Sequence, residues 1–261
     1  MKKVKTIIRK EWAEVFKNRM VVFSVLFMPL LFTALPLILL FATNKAGLGD
    51  VSTDMPAQFS QFCSPNLTTG ECFQVYLASQ FIILFLIMPL MIPVNIAAYS
   101  IVGEKTTHSL EPLLATPITT AELLTGKNLA AVLPAVAATW AGFAVYCLGA
   151  IIIASPQVVE ALITTTWLIA ILLLGPLMAV LSVNFSIMVS SRVNDPRTAE
   201  QISTVVILPV LVLFLGQISG FFFVSQQIIW LVSLGALLLD LVVIYLAVQL
   251  FQRETILTHW K

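Results

Sequence analysis

Long apolar runs alternate with short polar segments along this chain, and the runs take up most of its 261 residues. Six stretches, 20–43, 77–102, 129–154, 165–189, 202–224 and 228–250, each reach the about 20 helical residues needed to cross a hydrocarbon core of about 30 Å. Lipid offers no partners to backbone N–H and C=O groups, so continuous apolar runs of this length must be helices, and alternating barrel strands are excluded. The predicted fold is an all-α integral membrane protein, one domain over 1–261 with six transmembrane helices.

The polar segments carry patterns of their own. Ahead of the first run, over 1–19, Val4, Ile7, Ile8, Glu11, Trp12, Val15 and Phe16 recur at helical i, i+3, i+4 spacing, with Lys5, Arg9, Lys10, Glu14 and Lys17 on the remaining face. This predicts an amphipathic interfacial helix, with Trp12 and Phe16 at headgroup depth and basic groups on anionic lipid. The run that follows is too long, and lacks the small-residue site, for a cleaved leader.

The second polar segment, 103–128, is unusually long for an inter-helix connection. Ser109 is an N-cap candidate, Glu111 suits a first turn, and Thr116 before Pro117 stops the helix; Leu110, Leu113 and Leu114 share its face. Thr119 and Glu122 form a capping box that starts the next helix. In the segment 190–201, Asp195 caps a further helix with Pro196 at its first position.

Composition agrees with the pattern: 10% charged residues and 59% hydrophobic, against about 25% charged in soluble domains. The net charge of +1 hides an asymmetry. With six spans, the basic residues at 2, 3, 5, 9, 10, 17, 19, 105, 127, 192, 197, 253 and 261 fall on one side and only Lys45 on the other. The positive-inside rule therefore puts both termini, 103–128 and 190–201 in the cytoplasm, and 44–76, 155–164 and 225–227 outside a cell membrane crossed several times. Cys63 and Cys72 share the outer segment 44–76, on the oxidising side, and are a candidate disulfide; Cys147 lies within the third run.

The chain resembles the permease subunits of type-2 ATP-binding-cassette exporters, including sodium-efflux and drug-efflux members. The matching residues are Arg9-Lys10-Glu11-Trp12 with Lys17-Asn18-Arg19, Glu104-Lys105, Leu110-Glu111-Pro112-Leu113-Leu114-Ala115-Thr116-Pro117 and Gly126-Lys127. Thr107-His108-Ser109 departs from a common Gly-Thr pair. The resemblance implies that 103–128 carries a coupling helix gripped by an ATPase subunit. It assigns contact roles to Leu110, Glu111, Leu113 and Leu114, to Trp12 on the flanking helix, and to Glu104 as the charged anchor of the loop. Asp195 and Arg197 are a second candidate contact. No phosphate-binding loop exists in the chain, because Gly126-Lys127 runs into Asn128 and Ala121 stands where the first Gly belongs. ATP and Mg are accordingly expected on a separate ATPase subunit, in two copies, working with two permeases, the second a copy of this chain or a similar one.

Polar groups inside the runs are candidates for a substrate path, since an ionisable group at mid-bilayer costs about 2.5–3.5 kcal/mol on insertion scales. Asp240 is the charged one; Gln217 and Asn184 are the other candidates. His108 and His259 are isolated, and no His, Cys or carboxylate spacing suits a metal or catalytic centre. The basic residues follow membrane topology, not a nucleic-acid surface. The expected function is the membrane half of an ATP-driven exporter of a small solute, ion, drug or lipid-like molecule. The other reading is an ion-coupled secondary transporter using Asp240, or a non-transporting membrane scaffold; inverted repeats, which favour the former, are not evident.

Overall fold

The computed structural model describes residues 2–45, 67–106, 119–221 and 224–250, and every regular element among them is helical. In chain order these are α1 (Lys2–Val15), α2 (Arg19–Lys45), α3 (Thr69–Ser79), α4 (Phe81–Thr106), α5 (Thr120–Ile153), α6 (Pro156–Leu162) and α7 (Thr165–Ile169). A π turn (Ala170–Leu174) leads into α8 (Gly175–Arg192); α9 (Pro196–Ser203), a 3-10 turn (Thr204–Ile207), α10 (Leu208–Ile218) and α11 (Gln226–Leu250) follow. Six of the resulting helical stretches are long and apolar enough to cross a membrane.

Position within the bundle follows from how each helix distributes its apolar groups. Residues 81–98 of α4 are apolar nearly all round, and this helix is the hub, packed against α2, α5, α8 and α9. Phe85, Met88, Leu90 and Ile92 are wholly buried there. Helices α2, α10 and α11 sit at the periphery and turn large side chains outward: Phe23, Leu26 and Leu30; Leu208, Val212 and Leu215; Leu231, Leu238 and Leu241. These continuous leucine and phenylalanine faces suit hydrocarbon as a solvent, not water.

The elements outrun the apolar runs at several points. The second stretch begins at Thr69, where Thr68 and Glu71 form a capping box, and it breaks at Gln80 between α3 and α4. The fifth is entered through α9 from Pro196. The segment 155–164 folds largely into α6. Two of the three predicted helix starts are present: Thr119 and Glu122 make a reciprocal capping box, and the Asp195 side chain accepts from the Thr198 N–H; the third, at Ser109, lies outside the described residues.

Two tryptophans repair helices that prolines interrupt. Pro134 in α5 has no N–H to give the carbonyl four residues earlier, and the Trp12 indole N–H donates to that carbonyl, Ala130, at 2.9 Å. At the π turn the Gly175 N–H bonds Ala170, and the next residue is Pro176. The Ile171 carbonyl is served instead by the Trp140 indole at 3.1 Å.

Candidate functional site

At the end of the bundle that carries α1, a cluster of buried charges joins three helices. Its geometry starts in α1, whose inward stripe reads Ile7, Glu11, Val15. An acid in an apolar stripe must find partners when the stripe is buried. Opposite it, α4 brings Ser100 and Glu104 on its last turns before the 107–118 segment, and α5 brings Lys127 two turns after that segment.

Lys127 Nζ donates to Glu11 Oε1 at 2.9 Å and to Ser100 Oγ at 2.8 Å, and forms an ion pair with Glu104 Oε2 at 2.8 Å. Ser100 in turn donates its hydroxyl hydrogen bond to Glu11 Oε2 at 2.5 Å. Lys10, half-exposed at the rim, bonds Glu104 Oε1 and lies 3.7 Å from Glu11 and 3.6 Å from Glu14. Lys3 adds an outer pair with Glu122 at 3.5 Å. Burial alone raises the Glu11 carboxyl pKa. It is outweighed by the Lys127 charge, the Ser100 and Lys127 hydrogen bonds and the Lys10 charge, so Glu11 stays below the usual carboxylate range. For Lys10, burial lowers the pKa, but the bond and charge of Glu104, with Glu11 and Glu14, leave it raised.

Helix packing holds the cluster in register. Gly126 lets Ile7 of α1 lie directly on α5, and a Cβ there would come within 2.9 Å of Ile7 Cβ. One residue beyond Lys127, Asn128 donates to Asn184 Oδ1 on α8 at 3.1 Å, and Asn184 donates to the Val180 carbonyl at 2.9 Å. On the other side of α4, Ala98 and Val102 meet Ala199 of α9, where small side chains let the helices approach closely. The chain end 2–15, both stems of the 107–118 segment and α9 thus form one packed block.

Trp12 is partly exposed on α1, tied to α5 by its indole, with Phe16 edge-on at 6.5 Å. Trp12→Phe keeps the ring and loses the bond to Ala130, leaving that carbonyl unserved. The expected result is about 1–2 kcal/mol lower stability of the α1 dock, read as faster tryptic cleavage at Lys5 and Arg9 in detergent.

Of the residues marked out by sequence, Glu104 and Trp12 belong to this block. Leu110, Glu111, Leu113 and Leu114 lie outside the described residues, as does Cys63; its candidate partner Cys72 is buried in the first turn of α3. Asp195 is occupied in capping α9, accepting from the Thr198 N–H and hydroxyl, each at 2.9 Å, and Arg197 beside it is exposed. The three candidate path residues lie in separate seams. Gln217 donates to the Ser79 carbonyl at the α3–α4 break at 3.2 Å, Asn184 is bonded to Asn128, and Asp240 is buried in α11. Among the described residues no three His, Cys, Asp or Glu side chains gather as metal ligands.

Sequence reading did not single out Lys127, Glu11, Lys10 or Ser100 as a unit. The usable signals were Glu11 in the apolar stripe of α1, and Lys127 as a charge set where a long apolar run starts, with a glycine before it. What they join is set by residues 89, 94 and 116 positions apart.

Residues 5–228 match the family model described as ABC-2 family transporter protein, a stretch that takes in the charge cluster, the 107–118 segment and the first five spans. No curated protein matches the chain.

Proposed function

Since the chain belongs to the ABC-2 transporter family and is a multi-pass membrane protein with six apolar helical spans, we propose that it is the transmembrane subunit of an ATP-driven exporter. In this reading a separate ATPase subunit, in two copies, binds ATP and Mg and grips the 107–118 segment. Two permeases, this chain and a second copy or a similar chain, enclose the path. The positive-inside distribution supports a cell-membrane orientation with both termini, the 103–128 segment and 190–201 in the cytoplasm, where the ATPase is. The cargo is a small solute, ion, drug or lipid-like molecule moving outward.

The single observation that carries the coupling role is the buried charge cluster. A pull or push on the 107–118 segment acts on its two stems, and Glu104 and Lys127 bond those stems to each other and to α1. Force on the segment therefore moves α1, α4 and α5 together, and α4 is the hub of the bundle. Leu110, Leu113 and Leu114 are the proposed docking face, with Glu111 beside it, and Trp12 and Arg197 flank it. A Cys63–Cys72 disulfide on the outer side fits the same orientation.

The test is Leu113→Asp with Leu114→Asp in the tagged full-length chain, purified from membranes in mild detergent. The expected outcome is normal insertion and yield with the co-purifying ATPase lost by tenfold or more. An ATPase retained in wild-type amount would remove the docking assignment.

A further inference from the structure

We propose that Asp240, in the middle of α11, is a proton-binding site, and that packing of α11 onto the bundle is linked to its occupancy. The inference is independent of whether the chain works with an ATPase. Asp240 stands 14 residues after Gln226 in α11, about 21 Å along the axis, and is 3% exposed. Neither carboxyl oxygen has a hydrogen-bond partner among the described residues. It belongs to the inward stripe Ile229, Ser233, Ala236, Asp240, Ala247, whose small side chains let α11 lie close on its neighbours.

A bare carboxylate in such a place has no counter-charge to meet. The elements packed against α11 are α5, α7, the π turn and α8. Their titratable or charged groups are Glu122, Lys127, Tyr146 and Cys147 on α5 and Arg192 in the last turn of α8. The adjacent α10 carries none. Lys127 is held in the charge cluster by two carboxylates and the Ser100 hydroxyl, Glu122 is paired with Lys3 and bonded to the Thr119 N–H, and Arg192 is exposed. Tyr146 is neutral and its buried hydroxyl makes no bond either. That leaves a bound cation to neutralise the charge. A metal ion needs several oxygens around it; the nearest hydroxyl on the same stripe, Ser233, is two helical turns away, about 10 Å along the axis. A proton needs no further ligand, and it replaces the cost of a buried charge with the smaller cost of a buried hydroxyl.

The balance of the step is simple. When water reaches the buried face of α11, the carboxylic acid gives its O–H proton to that water and becomes the carboxylate; when that face closes on the bundle, the carboxylate takes one proton back. Closure of the bundle consumes a proton, and opening releases one.

Infrared difference spectroscopy of the purified full-length chain, wild type minus Asp240→Asn, tests this at neutral pH. The expected result is a carboxylic-acid C=O band present in the wild type and missing from D240N. If D240N does not fold, the wild type minus Asp240→Glu difference serves: two protonated acids in different geometries give a paired positive and negative band. Absence of any acid band in either difference at neutral pH means an ionised, partnered Asp240 and overturns the proposal.

Discussion

Lys127→Met is expected to lower the stability of the α1-bearing end by about 3–5 kcal/mol, the range for removing one partner from a buried ion pair. The side chains have similar length, so the loss is electrostatic. Without the ammonium, Glu11 and Glu104 become two buried acids facing each other with only Ser100 and the rim Lys10 to share. Thermal unfolding in detergent measures the loss, and tryptic cleavage at Lys5 and Arg9 locates it. The companion variant separates charge from shape. Glu11→Gln, Glu104→Gln and Lys127→Met together remove every strong charge from the core of the cluster and leave its volume nearly unchanged. Replacing a buried ionic group as a whole is often neutral, so this triple variant is expected within about 1–2 kcal/mol of wild type. A triple variant as unstable as Lys127→Met would mean that the cluster adds net stability rather than balanced charge. If the triple variant is stable and still binds its ATPase, but ATP hydrolysis no longer responds to the membrane subunit, the cluster transmits and does not merely hold.

The second large effect is expected from Gly126→Ala. The new methyl would stand 2.7 Å from Ile7 Cγ2 and 2.9 Å from Ile7 Cβ. Both atoms are close to the α1 backbone and stiff, because a β-branched side chain has one good rotamer in a helix. The contact is relieved only by α1 moving away from α5. The neighbouring Lys127 contact to Glu11 of α1, at 2.9 Å, lengthens when it does. Overpacking of this kind costs about 1–3 kcal/mol, and here the strained hydrogen bond adds to it. Gly149→Ala meets Leu37 methyl carbons at 2.6 and 2.7 Å, the far end of a flexible side chain, and is expected to cost less. Gly235→Ala, in α11, enters open space and is expected to be neutral or slightly stabilising. Melting temperatures in the order Gly235→Ala, Gly149→Ala, Gly126→Ala, from highest to lowest, would bear out the reading; equal temperatures would sink it.

Much of the molecule was legible in the chain because lipid leaves few options. An apolar run of about 20 residues in a membrane has one backbone solution, so the number and type of spans follow from hydropathy alone. The capping box at Thr119 and Glu122 and the Asp195 cap were also readable, because a cap is local: its donor and acceptor lie within three residues. The amphipathic pattern over 4–16 was there too, with Glu11 in its apolar stripe.

Tertiary structure decided what these elements meet. Hydropathy assigns all six spans nearly equal character, yet α4 is buried on every side while α2, α10 and α11 face outward, since only packing distinguishes one apolar helix from another. Trp12 reads as an aromatic anchor; that it serves the carbonyl freed by Pro134 requires knowing that α1 lies on α5. Likewise Glu11, Ser100, Glu104 and Lys127 are four ordinary polar residues in sequence, far apart along it. Charges buried in a medium without water must be matched in space, and only the fold brings them within 3 Å of one another.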